Sequence, residues 1–221
     1  MTAIATGTGS RLLTGPSFPS AKYADAAAYG LDYLREWARA AATLDLPALE
    51  RAACLLNEAY CGGQSVFSCG NGGSAAIADH LQCDHLKGIR TGTDLSPRVT
   101  SLASNVDVIT AIANDIGYED VFAFQLASQS RSGDVLVAIS SSGSSPNIVR
   151  SLEWARRNDL RTIALTGFEG QPARGLADVS VHVTCRNYGV IEDLHQAAMH
   201  AIAQFIRQSR MSVAAIAAAR F

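Results

Sequence analysis

Charged side chains are scarce in this chain, and neither sign of charge dominates. The 221 residues include 18 Lys or Arg and 20 Asp or Glu, which gives a net charge of −2 at pH 7. This balance argues against binding to nucleic acid or to an anionic membrane, because both attract proteins through an excess of positive charge. Hydrophobic residues make up 48% of the chain, so we expect extensive burial that includes interfaces between subunits.

Long apolar runs and paired cysteines are also missing. The sequence has no run of 18 apolar residues, so no transmembrane helix is expected. The segment from Met1 to Pro16 lacks the apolar core of a signal peptide, and we expect residues 1–20 to form a loose or disordered tail. The five cysteines are odd in number and form no C-x-x-C pair, which favours reduced thiols in a cytoplasmic protein.

The N-terminal part of the chain predicts two consecutive helices. The first spans about 22–44, because Ala28, Leu31, Leu34 and Ala38 recur at spacings of three and four and mark one apolar face. The second is capped by Asp45, has proline in its first turn, and ends before the two glycines at 62–63.

Short apolar strands then alternate with helical segments. The predicted strands are Ser65–Cys69, Val99–Leu102, Val135–Ile139, Thr162–Leu165 and Val179–Val183. The predicted helices begin near Ser74, Asn105, Ser145 and Ile191. This alternation indicates an α/β fold, a doubly wound and mainly parallel five-stranded sheet flanked by helices. We expect one domain over residues 21–210, including the N-terminal helices, and a C-terminal tail or helix end over residues 211–221.

A glycine-rich turn follows the first predicted strand. The sequence Cys-Gly-Asn-Gly-Gly-Ser at 69–74 leads from the strand into a helix that starts near Ser74. Backbone N–H groups at the positive end of a helix dipole form a favourable site for an anion, most often a phosphate. This turn therefore predicts an anion site that needs no basic side chain.

A serine-rich loop repeats this arrangement after the third predicted strand. Ser140, Ser141 and Ser142 end the strand, Gly143 follows, and Ser145 precedes a proline at the first helical position. Hydroxyls and amides at a helix start suit a phosphate monoester. A single loop of this kind is usually a plain connection, but two of them at the carboxyl ends of strands favour a ligand site.

Two distant helical segments carry a set of candidate metal ligands. His80 and Asp84 lie four residues apart on one helix, and Glu192 and His200 lie two turns apart on another. Imidazole nitrogen and carboxylate oxygen suit Zn²⁺ or another divalent transition metal. The spacing alone also allows hydrogen-bonded roles for each histidine. His85 adjoins Asp84 on a different helix face, and we expect it to meet solvent or a neighbouring subunit.

These motifs, in this order, resemble the sugar isomerase (SIS) family and, more narrowly, the phosphoheptose isomerases (sedoheptulose 7-phosphate isomerases). The resemblance runs from about 22 to 207 and adds Ala-Asn-Asp-Ile-Gly-Tyr at 113–118, Gly-Asp-Val-Leu at 133–136 and Ala-Leu-Thr-Gly at 164–167. It implies a homotetramer with active sites between subunits and a small sugar phosphate as substrate.

The resemblance also implies roles for individual residues. It places the general base on Asp84, the general acid on His200 and the metal, usually zinc, on His80, Asp84, Glu192 and His200. The residues that it places against the substrate, the serines largely at the phosphate, are Asn71, Gly72, Gly73, Ser74, Asn114, Asp115, Ser140, Ser141, Ser142 and Ser145.

The chain departs from the family pattern at two positions. The family base is Glu, whereas residue 84 is Asp, one methylene shorter, and the family has Gln where this chain has Glu192. General-base catalysis requires hydrogen-bond reach to the substrate proton, so either Asp84 or Glu192 could act as the base. An Asp and an Arg that the family places near the substrate have no counterpart in the run Asn-Tyr-Gly-Val-Ile at 187–191.

The hypothesis is an aldose–ketose isomerase that converts sedoheptulose 7-phosphate into glycero-manno-heptose 7-phosphate through an enediol. Two alternatives remain at this point. One is a non-catalytic SIS protein that binds a phosphosugar in a regulatory or assembly role, and the other is an isomerase of a different sugar phosphate.

Overall fold

The computed structural model describes residues 18–221. It contains five strands: β1 (Ser65–Gly70), β2 (Arg98–Ser101), β3 (Val135–Ser140), β4 (Arg161–Thr166) and β5 (Val179–His182). Its α-helices are α1 (Ala26–Ala41), α2 (Leu46–Gly62), α3 (Gly73–Cys83), α4 (Val106–Asp115), α5 (Ala123–Gln129), α6 (Pro146–Arg157), α7 (Ala173–Leu176), α8 (Tyr188–Ser209) and α9 (Val213–Ala218). The expected tail falls mostly in residues 1–17, outside the described residues, and the division into tail, domain and C-terminal end stays a prediction.

The five strands form one sheet in the order β2-β1-β3-β4-β5, and every neighbouring pair is parallel. The predicted fold class is therefore confirmed. The chain leaves β1 toward one edge of the sheet and returns to place β3 on its other side, so the order reverses between β1 and β3. A crevice opens at the carboxyl ends of strands at such a reversal, and ligands bind there in open α/β sheets.

Helices cover both faces of the sheet because successive strand side chains point to opposite sides. Val66 packs with α2, α3 and α8 in one buried cluster, whereas the next residue, Phe67, packs with α4, α5 and α6 in another. The α1 helix adds a third layer through Ala40, which packs against the start of α8. All six residues of β3 are buried, as expected for a central strand covered on both faces.

Side-chain caps fix where several helices begin. The carboxylate of Asp45 accepts a hydrogen bond from the Ala48 amide at 2.9 Å, as predicted for the start of α2. Asn105 caps α4 in the same way. Asn187 caps α8 through the Val190 amide at 3.1 Å, so this helix begins three residues before the predicted Ile191.

The α1 helix presents its predicted apolar face outward. Leu31 is 53% exposed and Leu34 is 64% exposed, whereas Tyr33 and Trp37, on the opposite side, pack against the α8 cluster. Aromatic side chains bury more area than the alanines and leucines of the predicted face, and they decide which side of the helix packs inward.

The helix that carries His80 changes form after Cys83. Residues Asp84–Ile89 form a π-helical segment in place of a continued α-helix. His85 on this segment is fully buried, and its Nδ1 is hydrogen-bonded to the hydroxyl of Tyr60 in α2. The expectation that His85 meets solvent or a neighbouring subunit is wrong, because α2 covers that side of the segment.

The five cysteines are all unpaired, and Cys69 and Cys185 are buried. Within residues 18–221 no helix is both long and apolar enough to cross a membrane. The cytoplasmic location stays a prediction.

Candidate active site

The glycine turn after β1 forms one wall of the site. Gly72 has φ = +55°, a left-handed conformation that only glycine adopts without strain. Gly73 begins α3, and a Cβ atom placed on it would lie only 2.3 Å from Oε2 of Glu192. The turn therefore brings the start of α3 directly against the α8 carboxylate.

The serine loop after β3 forms the opposite wall. Ser140 and Ser141 are buried, and the Ser140 hydroxyl accepts a hydrogen bond from the Gly143 amide at 3.1 Å. Ser145 is the N-cap residue of α6, but its hydroxyl makes no capping bond within residues 18–221. That hydroxyl and the Asn147 backbone N–H, which follows the proline at the start of α6, have no partner among the described residues and remain available to a ligand.

A cavity of about 140 Å³ lies between these two walls. Its lining is Asn71, Ser74, Ile139, Ser140, Ser141, Ser142, Ser145, Tyr188 and Glu192, so within residues 18–221 it contains no Lys or Arg. The buried hydroxyl of Ser141 has no hydrogen-bond partner among the described residues. Buried polar groups are normally paired, so an unpaired hydroxyl in a cavity wall indicates a ligand that supplies the partner.

Glu192 is the charged group of this cavity. Partial burial and, to a smaller extent, the neighbouring charge of Asp193 raise the pKa of its carboxyl above the usual value for glutamate. A carboxylate with a raised pKa in a polar cavity has the properties of a general base.

Three of the four predicted metal ligands converge beside the cavity, where α3 meets α8. Nε2 of His80 lies 3.3 Å from Asp84 Oδ1, and Nε2 of His200 lies 3.4 Å from Asp84 Oδ2. The two Nε2 atoms are 3.4 Å apart. One ligand atom from each residue lies within 4.8 Å of the others, and two imidazoles with one carboxylate match the three-ligand sets of catalytic zinc sites.

Two further contacts define the ligands around this cluster. The Gln196 amide lies 2.9 Å from His200 Nε2. Glu192 is outside the group of converging ligand atoms and lines the cavity. Its role as a fourth ligand stays a prediction.

Two predicted substrate residues lie elsewhere. Asn114 and Asp115 are exposed at the end of α4, where the Asn114 amide donates to the Asp115 carboxylate at 2.8 Å. Neither residue lines the 140 Å³ cavity, and their substrate contacts stay predictions.

Sequence reasoning missed three residues at the site. Tyr188 lines the cavity, Tyr118 donates its hydroxyl to Asn71, and Asn147 forms two hydrogen bonds with Asn71. Asn147 and Tyr118 lie in motifs that the resemblance contains, but nothing local in the sequence indicates that each contacts a side chain dozens of residues away.

Comparisons with known proteins agree with this geometry. A family model described as "SIS domain" matches residues 31–167. The phosphoheptose isomerase of Colwellia psychrerythraea is 38% identical over 170 residues, 76% of this chain and 86% of that protein. Among solved structures, the phosphoheptose isomerase of Neisseria gonorrhoeae superimposes with a TM-score of 0.74 at 31% identity and that of Francisella tularensis with 0.75 at 29%; each match covers 82% of this chain and 96% of the other.

Proposed function

The chain belongs to the SIS domain family and, within it, to the phosphoheptose isomerases, and we propose that this sugar-phosphate isomerase converts sedoheptulose 7-phosphate into D-glycero-D-manno-heptose 7-phosphate. One observation carries the proposal. A polar cavity at the β1–β3 reversal, lined by hydroxyls and amides, is joined to a His₂–carboxylate cluster by two helices, since α3 starts at the cavity and carries His80, and α8 carries both Glu192 and His200.

The phosphate binds in the serine loop in this proposal. The free hydroxyls of Ser141 and Ser145, together with the Asn147 backbone N–H at the start of α6, supply donors for a phosphate monoester. Ser142 adds a further hydroxyl from the same loop. The remote phosphate then holds the sugar in place, so that binding free energy is used to orient carbon 1 and carbon 2.

The reaction transfers a proton between two adjacent carbons. A carboxylate removes a proton from carbon 1, next to the ketone, and an enediol forms. The protonated carboxyl group then delivers a proton to carbon 2, which regenerates the carboxylate and gives the aldose. His200 donates a proton to the oxygen on carbon 2 and accepts one from the oxygen on carbon 1. Zn²⁺ or another divalent ion fits His80, Asp84 and His200, and when bound it would stabilise negative charge that develops on these oxygens.

We assign the base to Glu192, with Asp84 as the alternative. Glu192 faces the cavity and has a raised pKa. Asp84, by contrast, has an imidazole Nε2 within 3.4 Å of each of its two oxygens, so its carboxylate is occupied by the cluster. The proton acceptor must come within hydrogen-bond reach of carbon 1, and a carboxylate in the cavity meets that condition more readily.

The test is deuterium exchange at carbon 1 of sedoheptulose 7-phosphate in heavy water, followed by proton NMR with and without added Zn²⁺. Wild type should exchange, and Glu192→Gln should lose the exchange. The exposed Glu50→Gln substitution on α2 is the matched control and should exchange like wild type. Full exchange by Glu192→Gln would move the base to Asp84, and no exchange by wild type in either condition would reject the heptose substrate.

We also propose that the chain assembles as a homotetramer. Leu31, Leu34, Leu46 and Phe205 are large apolar residues that are between 44% and 65% exposed on the single chain, and such surfaces mark contacts with other subunits. Sedimentation equilibrium measures the assembly, and a mass of one chain, 23.3 kDa, would contradict the proposal.

A further inference from the structure

A pair of asparagine side chains joins the two walls of the cavity. Nδ2 of Asn71 donates to Oδ1 of Asn147 at 2.9 Å, and Nδ2 of Asn147 donates back to Oδ1 of Asn71 at 2.9 Å. Asn147 is 1% exposed, so water does not compete for these bonds. Seventy-six residues separate the two partners along the chain, and the pair is a direct tertiary link between the glycine turn and the serine loop.

The side-chain amide of Asn147 is held by contacts with the protein. Its Oδ1 accepts a second hydrogen bond from the Ile148 amide at 3.0 Å, and Asn147 is not among the residues that line the 140 Å³ cavity. The residue is the second of α6, immediately after the proline that follows Ser145. Its position relative to the phosphate-binding hydroxyls is therefore fixed by the first turn of that helix.

The same pair fixes which way the Asn71 amide points. Its Oδ1 accepts from Asn147 and also from the Tyr118 hydroxyl at 2.9 Å, which uses both lone pairs of that oxygen. One N–H of its Nδ2 is bound to Asn147, and the second N–H remains free. Because Asn71 lines the cavity, the protein offers the ligand a hydrogen-bond donor at this point and no acceptor.

We infer that Asn147 is a positioning residue, which acts through Asn71 to hold the donor of the glycine turn at a fixed distance from the serine loop. The α3 helix starts in that turn, carries His80 and leads into the π-helical segment that begins with Asp84, whereas α6 starts beside the phosphate site. The amide pair therefore fixes the distance between the phosphate-binding end and the reactive end of the site. The inference rests on the proposed function as far as turnover is concerned.

The experiment compares Asn147→Ala with wild type in three measurements. Calorimetry with inorganic phosphate should give the same dissociation constant for both, because the serine loop alone binds this ion. Calorimetry with sedoheptulose 7-phosphate should show weaker binding by the variant. The kcat/KM for this sugar should fall about 100-fold, and part of the fall should be in kcat. A misplacement of the substrate by about 1 Å relative to the reactive groups reduces turnover to that extent.

A double-substitution cycle separates positioning from general damage to the fold. In the Asn71→Ala background, adding Asn147→Ala should change kcat/KM by less than about twofold, because the two residues act as one unit. Asn158→Ala, at the exposed opposite end of α6, removes one hydrogen bond to Trp154 and is the matched control, which should retain wild-type values. Tyr118→Phe removes the third bond to Asn71 at a half-exposed site and should show a smaller loss of the same kind.

Two results would overturn the inference. One is a loss of inorganic phosphate binding by Asn147→Ala that equals its loss of sugar phosphate binding. The other is an effect of Asn147→Ala that persists undiminished in the Asn71→Ala background. Absence of turnover in wild type would contradict the proposed function alone, because the two calorimetric titrations test the positioning role without any reaction.

Discussion

The close approach of Gly73 to Glu192 allows the proposed catalytic carboxylate to be displaced by a substitution at residue 73, with Glu192 itself unchanged. In Gly73→Ala the new Cβ would lie 2.3 Å from Glu192 Oε2, whereas ordinary van der Waals contact begins at 3.4 Å. The carboxylate must therefore withdraw by about 1 Å. It is the end of a flexible side chain, so the fold can accommodate this movement without a shift of the backbone.

The expected result is a loss of turnover in a folded protein. A displacement of this size at a proton-transferring group lowers kcat about 100-fold, equivalent to roughly 2.7 kcal/mol of lost transition-state stabilisation. The free energy of unfolding should stay the same or rise by less than about 1 kcal/mol, because alanine is a better helix former than glycine at the start of α3.

The assay is a steady-state measurement of isomerisation together with thermal unfolding followed by circular dichroism. Gly30→Ala is the matched control, since its added Cβ would meet no atom within 4 Å, and it should retain wild-type kcat. In a Glu192→Ser background the Gly73→Ala substitution should cause no further loss, because the clashing atoms are gone. Wild-type kcat in Gly73→Ala would refute the assignment of Glu192 as the base.

Three further predictions follow from the same geometry. His80→Ala should lower the bound zinc, measured by elemental analysis after dialysis, to well below one ion per chain, and equal metal content in variant and wild type would remove His80 as a ligand. Burial raises the pKa of Glu192 and so favours its neutral form in the folded state. Wild type and Glu192→Gln should therefore be equally stable below the ordinary glutamate pKa, and wild type should become the less stable protein as pH rises through the raised value. Melting temperatures between pH 4 and pH 8 test this sign, and a higher melting temperature for wild type than for Glu192→Gln at pH 7 would contradict it. Asp45→Ala removes the cap of α2 and should lower the free energy of unfolding by about 1 kcal/mol in urea denaturation, with kcat unchanged.

Local signals were sufficient to predict most of the fold. The five strands were predicted to within one residue at each end, because each is a short apolar run bounded by turn residues. Asp45 and Asn105 mark helix starts through bonds to residues only three positions away. The α5 helix was missed, since its seven residues carry neither a cap signal nor a clear apolar period.

The site was only partly predictable for a physical reason. Glycine-rich turns, serine loops and histidines are recognisable in the sequence as candidate binding or metal-ligating groups. The structure brings His80, Asp84 and His200 together as ligands for one ion. The π-helical segment has more residues per turn than an α-helix, and it turns His85 inward. A helical wheel drawn with the α-helical period therefore assigns residues after Cys83 to the wrong face. The bond between Asn147 and Asn71 depends on which strands are neighbours in the sheet, a property that no single segment encodes.

The proposed phosphate site has no Lys or Arg among its lining residues within 18–221 and has the carboxylate of Glu192 nearby, which affects how a substrate would arrive. The field of a hydroxyl or amide dipole decays faster with distance than that of a Lys or Arg charge, so this cavity exerts little attraction beyond contact range. An ionised Glu192 would repel a phosphate dianion, so added salt, which screens this repulsion, should speed the encounter rather than slow it.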